Sequence, residues 1–361
     1  MFYYLISGTI LKITEFTVVR AIFALLTALA ITLFLVPKII KNIQARHAGQ
    51  NIRKLGPETH QQKAGRPTMG GIAMVIAIIL AALVWCRLDN ITIIIMLIST
   101  FWLGLVGFLD DMLKFIKKSS DGLSAKAKLF FQVALGVLVG IFIYWNNLLP
   151  PTVYFPIVNT EINIGIWYIL FVTIIITGFS NAVNLTDGLD GLATGVVILV
   201  TSALGGIAYI TGNAIFSKHV GLMHLPGSNE LSIFCAAMVG AGLGFFWYNA
   251  SPAEIFMGDV GSLALGGAIG GIAIFTKSEI LLAIIGGIFV IEALSVMIQV
   301  FSFKTFGKRV FKMSPIHHHF ELSGWPETKV VARFWIITVI LILVGLCIIG
   351  LNTLVANKLL S

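Results

Sequence analysis

The stretch Ile91–Asp111, ITIIIMLISTFWLGLVGFLDD, decides the fold. From Ile91 to Leu109 it carries no charge, then two adjacent carboxylates follow. At about 1.5 Å per residue, a helix of that length crosses the hydrocarbon core of a bilayer. The acids then come to lie where the helix meets water. Nine further apolar runs flank it: Val18–Val36, Gly70–Trp85, Leu129–Trp145, Ile164–Val183, Gly195–Ile210, Leu231–Trp247, Leu263–Phe275, Ile280–Phe301 and Phe334–Leu351. Composition agrees, with 58% hydrophobic and 11% charged residues among 361; soluble domains hold about 45–50% and about 25%. The chain reads as an all-α integral membrane protein of about ten transmembrane helices, a single polytopic domain over 1–361. The first run is too long for the apolar core of a signal peptide and reads as a span ending at Pro37. The eighth, Leu263–Phe275, is short and glycine-rich and reads as a buried or partly re-entrant helix.

With ten spans, both termini share one side. The connections after the odd-numbered spans share the other. Those connections carry all of the 24 Lys and Arg residues except Lys12, Arg20, Arg87, Lys218, Lys277 and Lys358. The positive-inside rule makes that face cytoplasmic and puts both termini on the opposite side. The net charge of +8 thus reflects topology and an anionic substrate; no motif points to nucleic acid. Cys86, Cys235 and Cys347 are scattered through apolar runs and read as small hydrophobes.

Carboxylates gather on the same face. Of seven aspartates, Asp110, Asp111, Asp121, Asp187, Asp190 and Asp259 fall there and only Asp89 does not. Lys and Arg set topology while acids contribute little to it, so this clustering asks for another cause. Asp110 and Asp111 read either as a solvated helix end, with Asp110 paired to Lys114 at i,i+4, or as a metal or proton-transfer site. Two adjacent carboxylates repel, so one is expected to hold its proton longer. Asn184, Asp187 and Asp190, spaced by three, are predicted to share one face of a helical turn. Asp259 reads as a helix N-cap or as a ligand for a hard cation such as Mg²⁺. His317, His318 and His319 are consecutive and cannot converge on one metal; contact with a phosphate or sugar suits one or two of them. Pro67–Gly71 reads as a helix start whose backbone N–H groups could face an anion. Gly240–Gly244 reads as small-residue helix packing. Glu292 lies in mid-span, where an acid is a functional candidate or the partner of a neighbouring helix. No phosphate-binding Gly-x-x-x-x-Gly-Lys and no His-Glu-x-x-His occurs. A transporter would be expected to hold its polar residues near the bilayer midplane.

Pro67-Thr-Met-Gly-Gly71, Asp110-Asp111-x-x-Lys114, Asn184-Leu-Thr-Asp187-Gly-Leu-Asp190-Gly191, Gly258-Asp259-Val-Gly-Ser262 and His317-His-His319 together resemble the polyprenyl-phosphate N-acetylhexosamine-1-phosphate transferases. The triple histidine, with its Pro-Ile lead and its Gly324-Trp325-Pro326 tail, is similar to the phospho-N-acetylmuramoyl-pentapeptide transferase branch. The resemblance implies ten helices with periplasmic termini. It also implies transfer of phospho-N-acetylmuramoyl-pentapeptide from its UDP-activated form to undecaprenyl phosphate with Mg²⁺, giving lipid I and UMP. It makes Asp259 the metal ligand and Asp110, Asp111, Lys128, Asn184, Asp190 and His317 catalytic. Lys63, Thr68, Lys114, Asp187, Asn249, Phe256, His318 and His319 are implied in substrate binding, with Phe256 stacking on the uracil. Members of the family can form homodimers, and the expectation extends to this chain.

Overall fold

A computed structural model describes residues 16–45, 66–117, 122–156, 158 and 160–360, with side chains up to 351. Its helices are α1 (Thr17–Ala45), α2 (Gly71–Trp85), α3 (Ile91–Lys117), α4 (Ala125–Trp145), α5 (Trp167–Thr186), α6 (Leu192–Thr211), α7 (Ala214–Val220), α8 (Asn229–Asn249), α9 (Gly258–Phe275), α10 (Glu279–Ile285), α11 (Gly287–Phe306), α12 (Ile316–Glu321) and α13 (Glu327–Leu360). Among the described residues nine helices are long and apolar enough to cross a membrane, and the 15-residue α2 is a shorter apolar helix. The protein is an all-α multi-pass membrane protein. Its only regular element other than helix among the described residues is an antiparallel hairpin, β1 (Thr152–Phe155) with β2 (Thr160–Asn163), in the connection between α4 and α5.

The weakest predicted span is the centre of the molecule. α9 runs 18 residues, about 27 Å, and every residue from Val260 to Phe275 is buried. Its glycines explain both its low apolar signal and its position. A β-carbon at Gly266 would strike the Phe179 backbone, one at Gly267 would strike Leu103, and one at Gly261 would strike Met257 and crowd Gly71. Small residues let α2, α3 and α5 close around α9 at backbone distance, where dispersion replaces the missing hydrophobic drive in lipid. The Gly240–Gly244 run does the same for α8 against α1: a β-carbon at Gly240 would collide with the Leu25 carbonyl, and Gly244 faces Leu29 and Thr32.

Two predicted boundaries move. α1 does not stop at Pro37 but continues to Ala45 with the proline inside. Proline there removes the hydrogen bond to the Leu33 carbonyl, and the Tyr248 hydroxyl of α8 donates to that oxygen at 3.4 Å. The ninth run is two helices. α10 and α11 meet at Gly286, which is out of helical geometry at φ −95°, ψ 21°, and glycine pairs are common kink sites. α11 then exposes Ile291, Leu294, Met297, Ile298, Phe301 and Phe303, an apolar face suited to lipid.

Polar contacts divide between the two ends of the bundle. At one end Arg20 of α1 forks onto Glu230 of α8 (2.6 and 2.9 Å), and Glu230 also accepts from the Arg87 N–H at 2.9 Å. Lys277, at φ +53°, donates to the Pro150 and Thr152 carbonyls (2.6 and 2.7 Å) and ties the hairpin down. Burial lowers the Lys277 ammonium to about 8. The other end collects Asp110, Asp111, Asp187, Asp190 and Asp259.

Candidate active site

Three aspartates from two remote segments converge at the C-terminal end of α3 and the start of α9. Asp110 and Asp111 do not end their helix, as the apolar run suggests. α3 continues to Lys117, so helical register holds both of them, buried, toward the bundle interior. A β-carbon at Gly107, one turn earlier, would collide with the Asp259 carbonyl. That missing side chain lets the first turn of α9 abut α3. The Val260 N–H donates to Asp111 (3.2 Å), and the Leu123 N–H donates to Asp110 (2.8 Å). One carboxylate oxygen from each of Asp110, Asp111 and Asp259 lies within 4.8 Å of the other two.

Asp259 is not an N-cap. Met257 holds that position, and no side chain bonds there. Instead the Asp259 carboxylate accepts from Lys128 (2.6 Å), Lys114 (3.1 Å) and Asn184 (2.8 Å). Lys114 also pairs with Asp110 and Asp111, and Lys128 with Asp110 at 3.3 Å. The helical Asp110–Lys114 pair and the interior cluster therefore coexist. Asn184 reaches Ser262 at 2.8 Å as well, a contact that no local pattern around Ser262 indicates. Three carboxylates against two ammoniums leave one net negative charge. Lys114 Nζ lies within salt-bridge range of all three acids, so the cluster already converges on a cationic centre. An all-oxygen, carboxylate-rich donor set of this kind fits a hard divalent cation.

The predicted helical face of Asn184, Asp187 and Asp190 does not form, because α5 ends at Thr186. Asp187 caps α5, and Gly191, at φ +77°, begins α6. Asn184 alone faces Asp259. Burial, then the Asp259 and Asp111 charges, push the Asp187 carboxyl up to about 7, while the Gly258 N–H pulls it down. Asp190 turns to the loop after α8: it accepts from the Ala253 N–H (3.0 Å) and Arg66 (3.4 Å), and its own N–H donates to Glu327 (2.7 Å). Asn249 braces the same loop. Its amide donates to the Ile255 carbonyl (3.0 Å) and accepts from Thr194 (2.8 Å) and the Gly191 N–H (3.2 Å). Nothing in the chain's pattern points to Arg66 or Glu327, which act across long sequence separations.

Two N–H groups at the Pro67–Gly71 start of α2 are committed to the fold. Gly70 and Gly71 N–H groups donate to the Phe256 and Met257 carbonyls (2.9 and 2.8 Å), and the Phe256 N–H donates to Pro67 (2.9 Å). That ladder fixes Phe256, whose side chain is half-buried, beside Asp259 in sequence. Thr68 Oγ1 lies 3.2 Å from where a Gly258 β-carbon would stand. The histidines take three separate directions: His317 to Glu292 (3.1 Å), His318 to Glu321 (2.7 Å), and His319 accepting from the Lys312 N–H (3.2 Å). Lys63 lies outside the described residues.

A family described as glycosyl transferase family 4 matches residues 93–277, just over half of the chain and all of the carboxylate cluster. The chain belongs to glycosyl transferase family 4. Family 4 membership makes it a sugar-1-phosphate transferase that takes a nucleotide-sugar donor and a polyprenyl phosphate acceptor. The family is typically dependent on a divalent metal, for which the acidic triad of this family 4 chain offers the ligands.

Proposed function

We propose that the protein transfers phospho-N-acetylmuramoyl-pentapeptide from its UDP-activated form to undecaprenyl phosphate, releasing UMP and forming lipid I, at the cytoplasmic face of a bacterial inner membrane with both termini periplasmic. The observation that carries the reading is the convergence of Asp110, Asp111 and Asp259 with Lys114 and Lys128 at one end of the helical bundle. A soluble anionic donor and a lipid-borne phosphate meet only at such a surface. The triple-histidine segment supports the muramoyl-pentapeptide donor over a smaller UDP-sugar.

Asp259, with Asp110 and Asp111, would hold Mg²⁺, which when bound would offset the negative charge brought by donor and acceptor. Lys114 and Lys128 supply fixed positive charge beside the same carboxylates, and preorganised charge of this kind typically contributes most of the rate enhancement in phosphoryl transfer. Asp110 and Asp111 are the candidate bases. In a one-step reaction, one of them takes the proton from the lipid phosphate as that phosphate attacks the β-phosphorus and UMP leaves. In a two-step reaction, a carboxylate attacks first and UMP leaves before the acceptor is engaged. Phe256 stacks on the uracil, and Lys114 and Asp187 contact the nucleotide.

The test is UMP release by purified protein from UDP-N-acetylmuramoyl-pentapeptide and, separately, from UDP-N-acetylglucosamine, each with undecaprenyl phosphate. Turnover of the first and scarcely any of the second is expected. Comparable turnover of both would overturn the donor assignment, and a burst of UMP without acceptor would select the two-step route.

A further inference from the structure

We propose that Glu292 is a positioning residue that holds His317 with a proton on Nε2 and presents that N–H to an oxygen of the nucleotide-sugar donor. The assignment rests on the donor reading above.

Glu292 sits near the start of α11, a helix whose outward face is apolar, yet the acid itself is fully buried. His317, in the short α12, is also fully buried, and its Nδ1 lies 3.1 Å from Glu292 Oε1. The remaining atoms, Glu292 Oε2 and His317 Nε2, have no hydrogen-bond partner among the described residues. Glu292 has no cationic partner there besides His317.

Charge balance decides where the proton lies. A buried pair avoids a net charge, which low-dielectric surroundings penalise heavily. Two charge-balanced forms exist. In one, a carboxylate faces an imidazolium and both ring nitrogens carry hydrogen. In the other, a protonated Glu292 donates to Nδ1 and the neutral ring keeps its hydrogen on Nε2. Nε2 is a donor in both. A bare Nε2 would require a carboxylate beside a neutral ring, leaving an uncompensated buried negative charge.

Gly188 shows where that donor points. A β-carbon there would collide with Nε2, so the ring is seated against the turn that carries Asp187 and Asp190. That turn is the one whose preceding helix delivers Asn184 to Asp259. An unpaired buried N–H against this turn calls for an incoming acceptor. The donor substrate supplies anionic oxygens in quantity. In the usual carboxylate–histidine pair the ring donates Nδ1–H and leaves Nε2 bare; here Glu292 Oε2 has no partner to stabilise such a carboxylate, so the pair fixes the ring's orientation with Nε2 as the donor.

The experiment uses the full chain in detergent, with UDP-N-acetylmuramoyl-pentapeptide and undecaprenyl phosphate. Glu292→Met should lower kcat/KM by about 10- to 100-fold, the usual range for losing such a partner. Glu292→Gln, whose amide can donate to Nδ1 and keep the proton on Nε2, should recover most of that loss. In a His317→Ala background, Glu292→Met should cost less than about threefold more, because Glu292 acts through His317. Losses that multiply, or a Glu292→Met variant within about threefold of wild type, would overturn the assignment. Should Glu292→Met not purify as folded protein, ¹⁵N-histidine spectra of wild type decide: His317 must show hydrogen on Nε2, and a bare Nε2 would refute the proposal. Failure of the wild-type chain to use the muramoyl-pentapeptide donor would sink the functional reading instead, and the spectra would still judge the pair.

Discussion

Replacing Asp259 by Asn changes one atom and one charge at the point where three donors meet. The carboxylate accepts from Lys128, Lys114 and Asn184 at 2.6, 3.1 and 2.8 Å. An amide keeps the volume and can still accept from Asn184, but it turns one N–H side toward ammonium groups. The cluster passes from one net negative charge to none. With ligand atoms within 4.8 Å of one another, a charge at that range contributes about 3 kcal/mol per cationic unit at an effective dielectric near 20. A divalent ion therefore loses at most about 6 kcal/mol, a little over four decades in rate; the amide oxygen still faces the ion and recovers part of this, leaving a loss of roughly three decades. Lost charge-assisted hydrogen bonds cost about 1.5–3 kcal/mol of stability, partly offset by relief of repulsion from Asp110 and Asp111, so the variant still folds. The assay is UMP release across a Mg²⁺ titration, alongside thermal unfolding. The expected outcome is a folded protein with turnover down by about 10³ and weakened dependence on Mg²⁺. Turnover within about tenfold of wild type at ordinary Mg²⁺ would refute the reasoning and leave Asp110, Asp111 and Asp187 as the metal-ligand candidates.

Gly258→Ala places a β-carbon 2.6 Å from Asp111 Oδ2 at a φ of +74°; backbone strain of about 1–2 kcal/mol and a displaced Asp111 should cut turnover while the protein remains folded, and unchanged kcat would show that Asp111 tolerates the shift. In metal-free buffer the Asp187 carboxyl, raised to about 7, takes up a proton on folding, so its contribution to stability falls as pH rises from the ordinary carboxylate range through 7 and is flat above. Asp187→Asn should therefore flatten the decline of thermal midpoint between pH 5 and about 7, and identical slopes for the two proteins would remove Asp187 as its source. With Cys347, the exposed cysteine, replaced, a cysteine at exposed Lys308 should resist impermeant thiol reagents in intact cells and one at exposed Glu161 should label; the reverse pattern would turn the site to the outer face.

Much of the architecture was legible in hydropathy alone, because lipid forces every backbone polar group into helix and leaves long apolar runs as the record. The carboxylates were legible for a related reason: charge on a membrane chain survives only at helix ends or inside the bundle, so each aspartate at a run's edge stood out. Glycine content hid the centre. α9 reads as the poorest span because its residues face protein rather than lipid, and the close approach that its glycines permit is a property of α2, α3 and α5 as much as of α9. Proline at 37 misled in the same way, since the hydroxyl that compensates it comes from Tyr248 on another helix.

The site divides along the same line. Residue type and position marked Asp110, Asp111, Lys114, Asn184, Asp187 and Asp259 as candidates, and the spacing of three suggested a shared face for Asn184, Asp187 and Asp190. Only tertiary structure decided that Asn184 faces Asp259 while Asp190 supports the loop after α8, because α5 stops at Thr186 and the turn redirects the chain. Only tertiary structure took Asp259 out of the cap position, set it against Lys114, Lys128 and Asn184, and paired Glu292 with His317 across two helices. Local sequence determines which groups a membrane chain keeps polar. Which of them meet depends on contacts between segments far apart in the chain, and those are set by how closely the helix backbones can pack.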